Sequence, residues 1–156
     1  MTTNAKAAAI RTAITPYLCT KNAAKALEFY KKAFGAVETM QIGDPSGKIG
    51  HAEITIGDAV LMLSDEFPEY NAISPQSLNG TSISLHLTVP DVDTTVDRCV
   101  AEGAKLERPV KDQFYGERSG TIVDPFGHRW MIGTPTEELS SQEIEQRAAA
   151  MYEGKE

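Results

Sequence analysis

Asp124-Pro125-Phe126-Gly127-His128-Arg129-Trp130-Met131-Ile132 is the stretch on which the reading of this chain turns. Asp-Pro followed two residues later by Gly is a turn signal. Proline fixes its own φ, glycine takes a positive φ without steric cost, and the aspartate side chain can bond the turn backbone. Ser119-Gly120-Thr121-Ile122-Val123 before the turn is rich in β-branched residues, and Trp130-Met131-Ile132 after it is apolar and followed by Gly133. Two antiparallel strands joined by a tight turn are expected here. The rest of the chain reads as a repeat built around this hairpin.

Composition sets outer bounds. The 156 residues are 41% hydrophobic and 24% charged, ordinary proportions for a globular chain of one domain or of two half-size modules sharing a core. A net charge of −7 with no Lys/Arg cluster argues against a nucleic-acid surface. Cys19 and Cys99 are far apart and form neither a CxxC nor a zinc spacing, which fits reduced thiols and a cytoplasmic protein. Residues 1–13 hold a short Ala-rich patch with Lys6 and Arg11, too weak for a signal peptide and too short to span a membrane. They are expected to form a loose N-terminal arm, and no membrane partner is expected.

From residue 14 the pattern is regular. Ile14–Thr20 alternates as a short strand, with Pro16 suiting an edge or entry position. Asn22 is a candidate N-cap for a helix over Ala23–Phe34, whose apolar positions recur at three and four before Gly35 ends it. Ala36–Ile42 reads as a second strand and Asp44-Pro45-Ser46-Gly47 as a turn. Lys48–Ile56 is a third strand with Ala52, Ile54 and Ile56 on one face and His51, Glu53 and Thr55 on the other. Gly57-Asp58 turns into a fourth strand, Ala59–Ser64.

Residues 65–81, with two prolines and Gly80, form a linker long enough to include a mobile flap. The pattern then restarts: a strand over Ser82–Val89, a helix over Val92–Glu102 capped by Asp91 with Val92, Val96, Cys99 and Val100 inward, and a strand over Lys105–Val110. The Gln113–Arg118 loop and the hairpin complete it. Gly35-Ala36 and Gly103-Ala104 lie 68 positions apart, Met62 and Met131 lie 69 apart. The fold class is therefore α+β: two tandem βαβββ modules, 14–64 and 82–135, sharing a core with a helix on the convex side of each curved sheet. Residues 136–156 carry a terminal helix, with Ser140 and Glu143 at capping-box spacing and Leu139, Ile144, Ala148, Met151 and Tyr152 available to dock on the body or on a second subunit.

Paired βαβββ modules, the helix AAKALEFYKKAFGA, the segment GHAEITIGDAVLMLSD and DPFGHRW together resemble the glyoxalase/bleomycin-resistance/dioxygenase superfamily, also called vicinal oxygen chelate, in its PhnB-like branch. The resemblance covers residues 14 to about 135. It implies curved mixed sheets enclosing a concave cavity, usually completed in a homodimer.

Enzymes of the superfamily hold a divalent metal with His and Glu side chains from four strand positions. The matching residues here are Thr15, Met62, Ser84 and Met131, none of them a histidine or carboxylate. Thioethers and hydroxyls are poor ligands for hard or borderline divalent ions, so no metal is expected at the usual site. The cavity-facing strands supply Tyr17, His51, Glu53, Thr55, Ser64, Ser82, His86 and Arg129. His51 and Glu53 share a face and, with His86, are candidates for a relocated metal site or for acid–base catalysis. The other reading is that these groups bond one another or a ligand. Arg129 is a candidate partner for an anionic ligand group or a solvated rim charge, and His128 is expected to be structural. Tyr115, in Phe114-Tyr115-Gly116-Glu117-Arg118, suits the mouth of an organic-ligand site or a packed loop.

Two functions remain open. One is binding of a small organic molecule, as bleomycin-resistance members do, through Thr15, Tyr17, Met62, Ser84, Tyr115, Arg129 and Met131. The alternative is a lyase, isomerase or dioxygenase type of enzyme using His51, Glu53 and His86 in the same cavity.

Overall fold

The computed structural model describes residues 9–154. Most of the expected N-terminal arm lies outside that range, and residues 9–16 carry no regular structure. Strand β1 (Tyr17–Thr20), helix α1 (Ala23–Phe34) and strands β2 (Val37–Gly43), β3 (Ile49–Ile56) and β4 (Ala59–Asp65) form the first module. After a 3-10 turn (Pro68–Tyr70) and a short helix α2 (Pro75–Leu78) come β5 (Ser84–Thr88), α3 (Val92–Ala101), β6 (Lys105–Asp112), β7 (Glu117–Val123) and β8 (Arg129–Pro135). Helix α4 (Ser141–Glu153) ends the described chain.

The two sheets have the same order, β1-β4-β3-β2 and β5-β8-β7-β6. In each, the first strand pairs parallel with the fourth and the remaining pairs are antiparallel. The register makes the repeat concrete: Tyr17 lies beside Met62 and His86 beside Met131. Strand β1 starts at Tyr17 rather than Ile14, so Thr15 precedes the strand. Pro16 has no N–H to give the ladder, but its carbonyl accepts the Met62 N–H at 3.0 Å.

Local chemistry explains the element ends. Asn22, Asp91 and Ser140 accept the N–H groups of Lys25, Thr94 and Glu143, as N-caps do. Gly35 takes φ +69° and closes α1. In the decisive hairpin, Gly127 takes φ +90° and its N–H bonds the Asp124 carbonyl at 3.0 Å, while Asp124 Oδ1 accepts the N–H groups of Phe126 and His128. The turn at Asp44–Gly47 repeats that pattern, with Asp44 Oδ1 accepting from Ser46 and Lys48.

A further device, invisible in the sequence pattern, starts both module helices. The N–H of Ala23 donates to Asp65 Oδ1 at 2.8 Å, and that of Val92 donates to Thr134 Oγ1 at 2.9 Å. Asp65 ends β4 and Thr134 lies near the end of β8, so each sheet caps its own helix from equivalent places.

Helices α1 and α3 lie against one another, and the helix-facing sides of both sheets close on them in one hydrophobic core. Tyr30, Phe34 and Trp130 stack across the module seam, with Phe34 and Trp130 centroids 4.7 Å apart. Asp124 is buried there. Its Oδ2 accepts the Tyr30 hydroxyl at 2.6 Å and Trp130 Nε1–H at 2.9 Å. His128 Nε2 meets the Cys19 carbonyl at 2.9 Å and ties the hairpin to β1. The expected inward stripe of α3 needs one correction. Val100 is 45% exposed and Thr95 is buried instead, because the helix turns its Thr95–Val96–Cys99 side to the sheet.

The linker is fastened at several points. Phe67 bridges to Ala72, Glu66 accepts from the Ser74 N–H and from the hydroxyls of Ser74 and Ser77, and Gln76 donates to the Pro125 carbonyl. Those hydroxyl bonds, Ser74 first, hold the Glu66 carboxyl down at about 2. Helix α4 has no fully buried residue; Arg147 anchors it to the Phe114 carbonyl and to Glu137.

The buried ionisable groups predict an alkaline limit. Burial, then the Asp124 charge, pushes the Cys99 thiol up to about 12; burial, then Glu66 and Asp65, pushes Cys19 up to about 11. Burial and Asp124 raise Tyr30 well above its ordinary value. Above about pH 9 the unfolded chain loses thiol protons that the folded chain keeps, so stability is full below that pH and falls above it. Urea midpoints should hold up to about pH 9 and decline from there to about pH 10.5, less steeply for Cys99→Ala; a flat profile across that range would contradict the assignment.

Candidate functional site

The faces turned away from the helices carry the polar groups. On the first sheet Tyr17, Met62, Glu53 and Met40 follow one another across neighbouring strands. His51 joins this row into a hydrogen-bonded chain: its Nδ1 is 2.7 Å from the Tyr17 hydroxyl and its Nε2 is 3.0 Å from Glu53 Oε1. Strand pleating places His51 and Glu53, two residues apart, on the same side. Met40, Ile42 and Val60 are exposed apolar neighbours on this module.

On the second sheet His86, Met131, Thr121 and Arg108 occupy the corresponding row. Thr121 stands where Glu53 stands, opposite the methionine. The partner of His86 comes from elsewhere: Nε2 lies 3.1 Å from both carboxylate oxygens of Glu117, at the start of β7. Glu117 reaches it by crossing directly over Gly133, where any Cβ would collide with the carboxylate. A small residue is required there to let the side chain pass. Gly133→Ala should therefore turn Glu117 away and release His86, with global stability changed by less than about 1 kcal/mol because only the far end of a flexible side chain moves. Nitrogen-15 spectra of the histidines check this; an unchanged His86 signal would contradict it.

Three hollows adjoin these residues. One of about 440 Å³ lies between the β1 and β5 edges beneath the linker, lined by Tyr17, Ile73, Leu78, Ile83, Leu85 and Arg129 among others. A second, of about 420 Å³, holds Thr15 together with Ile14, Leu61, His86 and Trp130. The third, of about 430 Å³, lies on the outer side of the second sheet, where Tyr115 and Met131 meet Ser119, Thr121, Arg108 and Lys111. The Tyr115 hydroxyl is 3.3 Å from Ser119 Oγ.

Residues 10–132 match the family described as Glyoxalase/Bleomycin resistance protein/Dioxygenase superfamily. The chain belongs to that superfamily. An uncharacterized protein of Mycobacterium bovis is 38% identical over 148 residues, which cover 93% of this chain and 97% of that protein. Two solved structures share the fold. A PhnB protein of Bacillus cereus is 20% identical with a TM-score of 0.63, covering 79% of this chain and 99% of that one. The fosfomycin resistance protein FosX of Listeria monocytogenes, complexed with Mn(II) and sulfate, is 17% identical with a TM-score of 0.65, covering 89% and 98%.

The metal implied by this superfamily does not fit the matching residues here. Met62 and Met131 offer thioethers, Ser84 a hydroxyl, and Thr15 stands outside β1. Among the described residues, no group of three or more His, Cys, Asp or Glu side chains is arranged to hold a metal ion. The candidates His51, Glu53 and His86 do not come together within one chain: His51 and Glu53 bond each other, whereas His86 is engaged by Glu117. The two histidines sit on different sheets, as their places in the two modules imply.

Arg129 has a partner of its own within the chain. Its guanidinium pairs with Glu107 at 2.6 Å, and the Arg129 strand position lies beside Ser84. Its Nε is buried without a partner. The sequence reading missed Glu117, Gly133 and Glu107. Glu117 follows the singled-out aromatic pair in the loop, but only the path over Gly133 brings it to His86. No helix among the described residues is long and apolar enough to cross a membrane.

Proposed function

We propose that this superfamily member binds a small organic molecule bearing an anionic group on the outer side of its second sheet, without help from a divalent metal. The observation that carries this reading is the hollow against Met131. Its volume of about 430 Å³ lies within the span of small-molecule pockets. Met131 supplies an apolar wall, Tyr115, Ser119 and Thr121 supply hydroxyls, and Arg108 and Lys111 supply positive charge. Neither cation has an ion-pair partner among the described residues, in a chain whose net charge is −7. A carboxylate or similar group would gain charge-assisted bonds there. A second copy of the chain would cover the open outer faces, and a homodimer is part of the proposal. Thr15 and Arg129 line the neighbouring hollows and would contact a larger ligand, with Ser84 beside Arg129 on the adjoining strand.

Thermal-shift screening of organic acids and their neutral analogues tests the reading. At a hundredfold excess over Kd, a ligand of the native state adds about 2.7 kcal/mol of stability. Some acids should stabilise the wild type, and the shift should vanish in Arg108→Ala/Lys111→Ala and in Met131→Arg. Mn(II), Ni(II) and Zn(II) added alone should give no saturable shift. A screen without a stabilising acid, or a shift untouched by these substitutions, would overturn the proposal.

A further inference from the structure

We infer that Tyr17, His51 and Glu53 form a proton-transfer relay whose working atom is the Tyr17 hydroxyl oxygen. It would act on an organic ligand with a weakly acidic proton, on a hydroxyl or on carbon beside a carbonyl. The inference rests on the reading that the outer faces bind an organic molecule, but it concerns the first sheet rather than the hollow of the second.

The bonding order follows from donor chemistry. A carboxylate only accepts, so at the 3.0 Å contact His51 Nε2–H donates to Glu53. The neutral ring then leaves Nδ1 as an acceptor, and at 2.7 Å it takes the hydrogen of the Tyr17 hydroxyl. This is an oriented base with a hydroxyl in front and a carboxylate behind, the arrangement by which a histidine accepts a proton while its far side is stabilised. His51 and Glu53 are each about three-quarters buried, with side-chain exposures of 24% and 26%, whereas Tyr17 is 52% exposed. The outermost group is thus the one a ligand reaches. The ring of Tyr17 lies tilted against His51 with centroids 5.5 Å apart, which holds the pair in place.

The second module argues that the chain is a built feature rather than a consequence of the fold. At the matching places it has His86 for Tyr17 and Thr121 for Glu53, and its histidine faces a carboxylate with no hydroxyl in front. In the proposed step the ligand proton passes to Tyr17 Oη as the tyrosine proton passes to His51 Nδ1. A ligand anion, a neutral tyrosine and an imidazolium beside Glu53 result. Charge is conserved, no bond other than those to hydrogen changes, and reversal returns the proton to the ligand. No co-reactant is needed.

The test uses N-acetylimidazole on the intact protein, with acetyl-tyrosine located by mass spectrometry. Tyr17 oxygen attacks the acetyl carbon as His51 takes its proton, the acetyl–nitrogen bond breaks, and the departing imidazole receives that proton back from His51. Tyr70, 81% exposed, is the internal reference. Tyr17 should be acetylated at least tenfold faster than Tyr70, and Glu53→Gln and His51→Phe should each remove most of that advantage while circular dichroism stays unchanged. In nitrogen-15 histidine spectra, His51 should carry its proton on Nε2. Acetylation of Tyr17 no faster than Tyr70, equal rates in Glu53→Gln, or an Nδ1–H tautomer would overturn the relay. Fast, His51-dependent acetylation would support it even if no ligand is found for the second sheet, so the two readings fail separately.

Discussion

Asp124→Ala should be the most damaging single substitution in this chain. Asp124 is 3% exposed and accepts four hydrogen bonds, from the Tyr30 hydroxyl, Trp130 Nε1 and the backbone of Phe126 and His128. Alanine leaves all four donors without this acceptor, two of them, the Tyr30 hydroxyl and Trp130 Nε1, buried among aromatic rings. Each such loss costs about 1–3 kcal/mol, discounted here because the aspartate's own burial cost is also removed. A net loss of about 4 kcal/mol is expected, a large share of the 5–15 kcal/mol that stabilises a typical domain. Asp124→Asn should fall between alanine and wild type. Its oxygen can still serve the two backbone groups, but its amide nitrogen then faces the Trp130 N–H, donor against donor. Tyr30→Phe removes one donor and should cost about 1 kcal/mol. Urea unfolding of the three variants tests the ranking; Asp124→Ala within 1 kcal/mol of wild type would contradict it.

The second large effect is expected at Asp65→Ala. This residue is 9% exposed and holds Ala23 N–H through Oδ1 and Ile49 N–H through Oδ2 at 2.7 Å. It therefore fastens the start of α1 and the start of β3 to the end of β4. Loss of both acceptors strands two buried N–H groups, at about 2–4 kcal/mol together. Thr134→Val makes a useful comparison. It removes the matching cap on Val92 and also the bond from Thr134 Oγ1 to the Val89 carbonyl at 2.8 Å. No buried charge is involved there, so its cost should be smaller, about 1–2 kcal/mol. Hydrogen exchange should show the amide of Ala23 deprotected in Asp65→Ala and that of Val92 in Thr134→Val. Exchange unchanged at these amides would contradict the capping role.

The functional proposal leans on contrasts between the two modules. They share strand order, register and the methionines of the fourth strands, yet one carries Tyr17–His51–Glu53 and the other His86–Glu117 beside a cationic hollow. A fold by itself does not assign chemistry. Such departures from internal symmetry mark where this chain has been specialised, because core packing would be served equally well by like residues in both copies.

Much of this was legible in the residues themselves. The alternation of Ala52, Ile54 and Ile56 against His51, Glu53 and Thr55 decided which side of β3 faces the helix. The caps at Asn22, Asp91 and Ser140, the turn glycines and the repeat of 68 to 69 positions decided the order of elements. These are local effects, set by backbone sterics and by side-chain period within a few residues. The candidates His51, Glu53 and His86 separate into two clusters, since whether His86 meets His51 depends on how two sheets sit across a helix layer. Arg129 with Glu107, Glu117 over Gly133, Asp65 on α1, and Asp124 with Tyr30 are partners separated by between 16 and 94 positions, apart from Asp124 with Trp130. Pairing over such distances is chosen by packing and by the need to satisfy each buried polar group, and only the tertiary structure makes that choice.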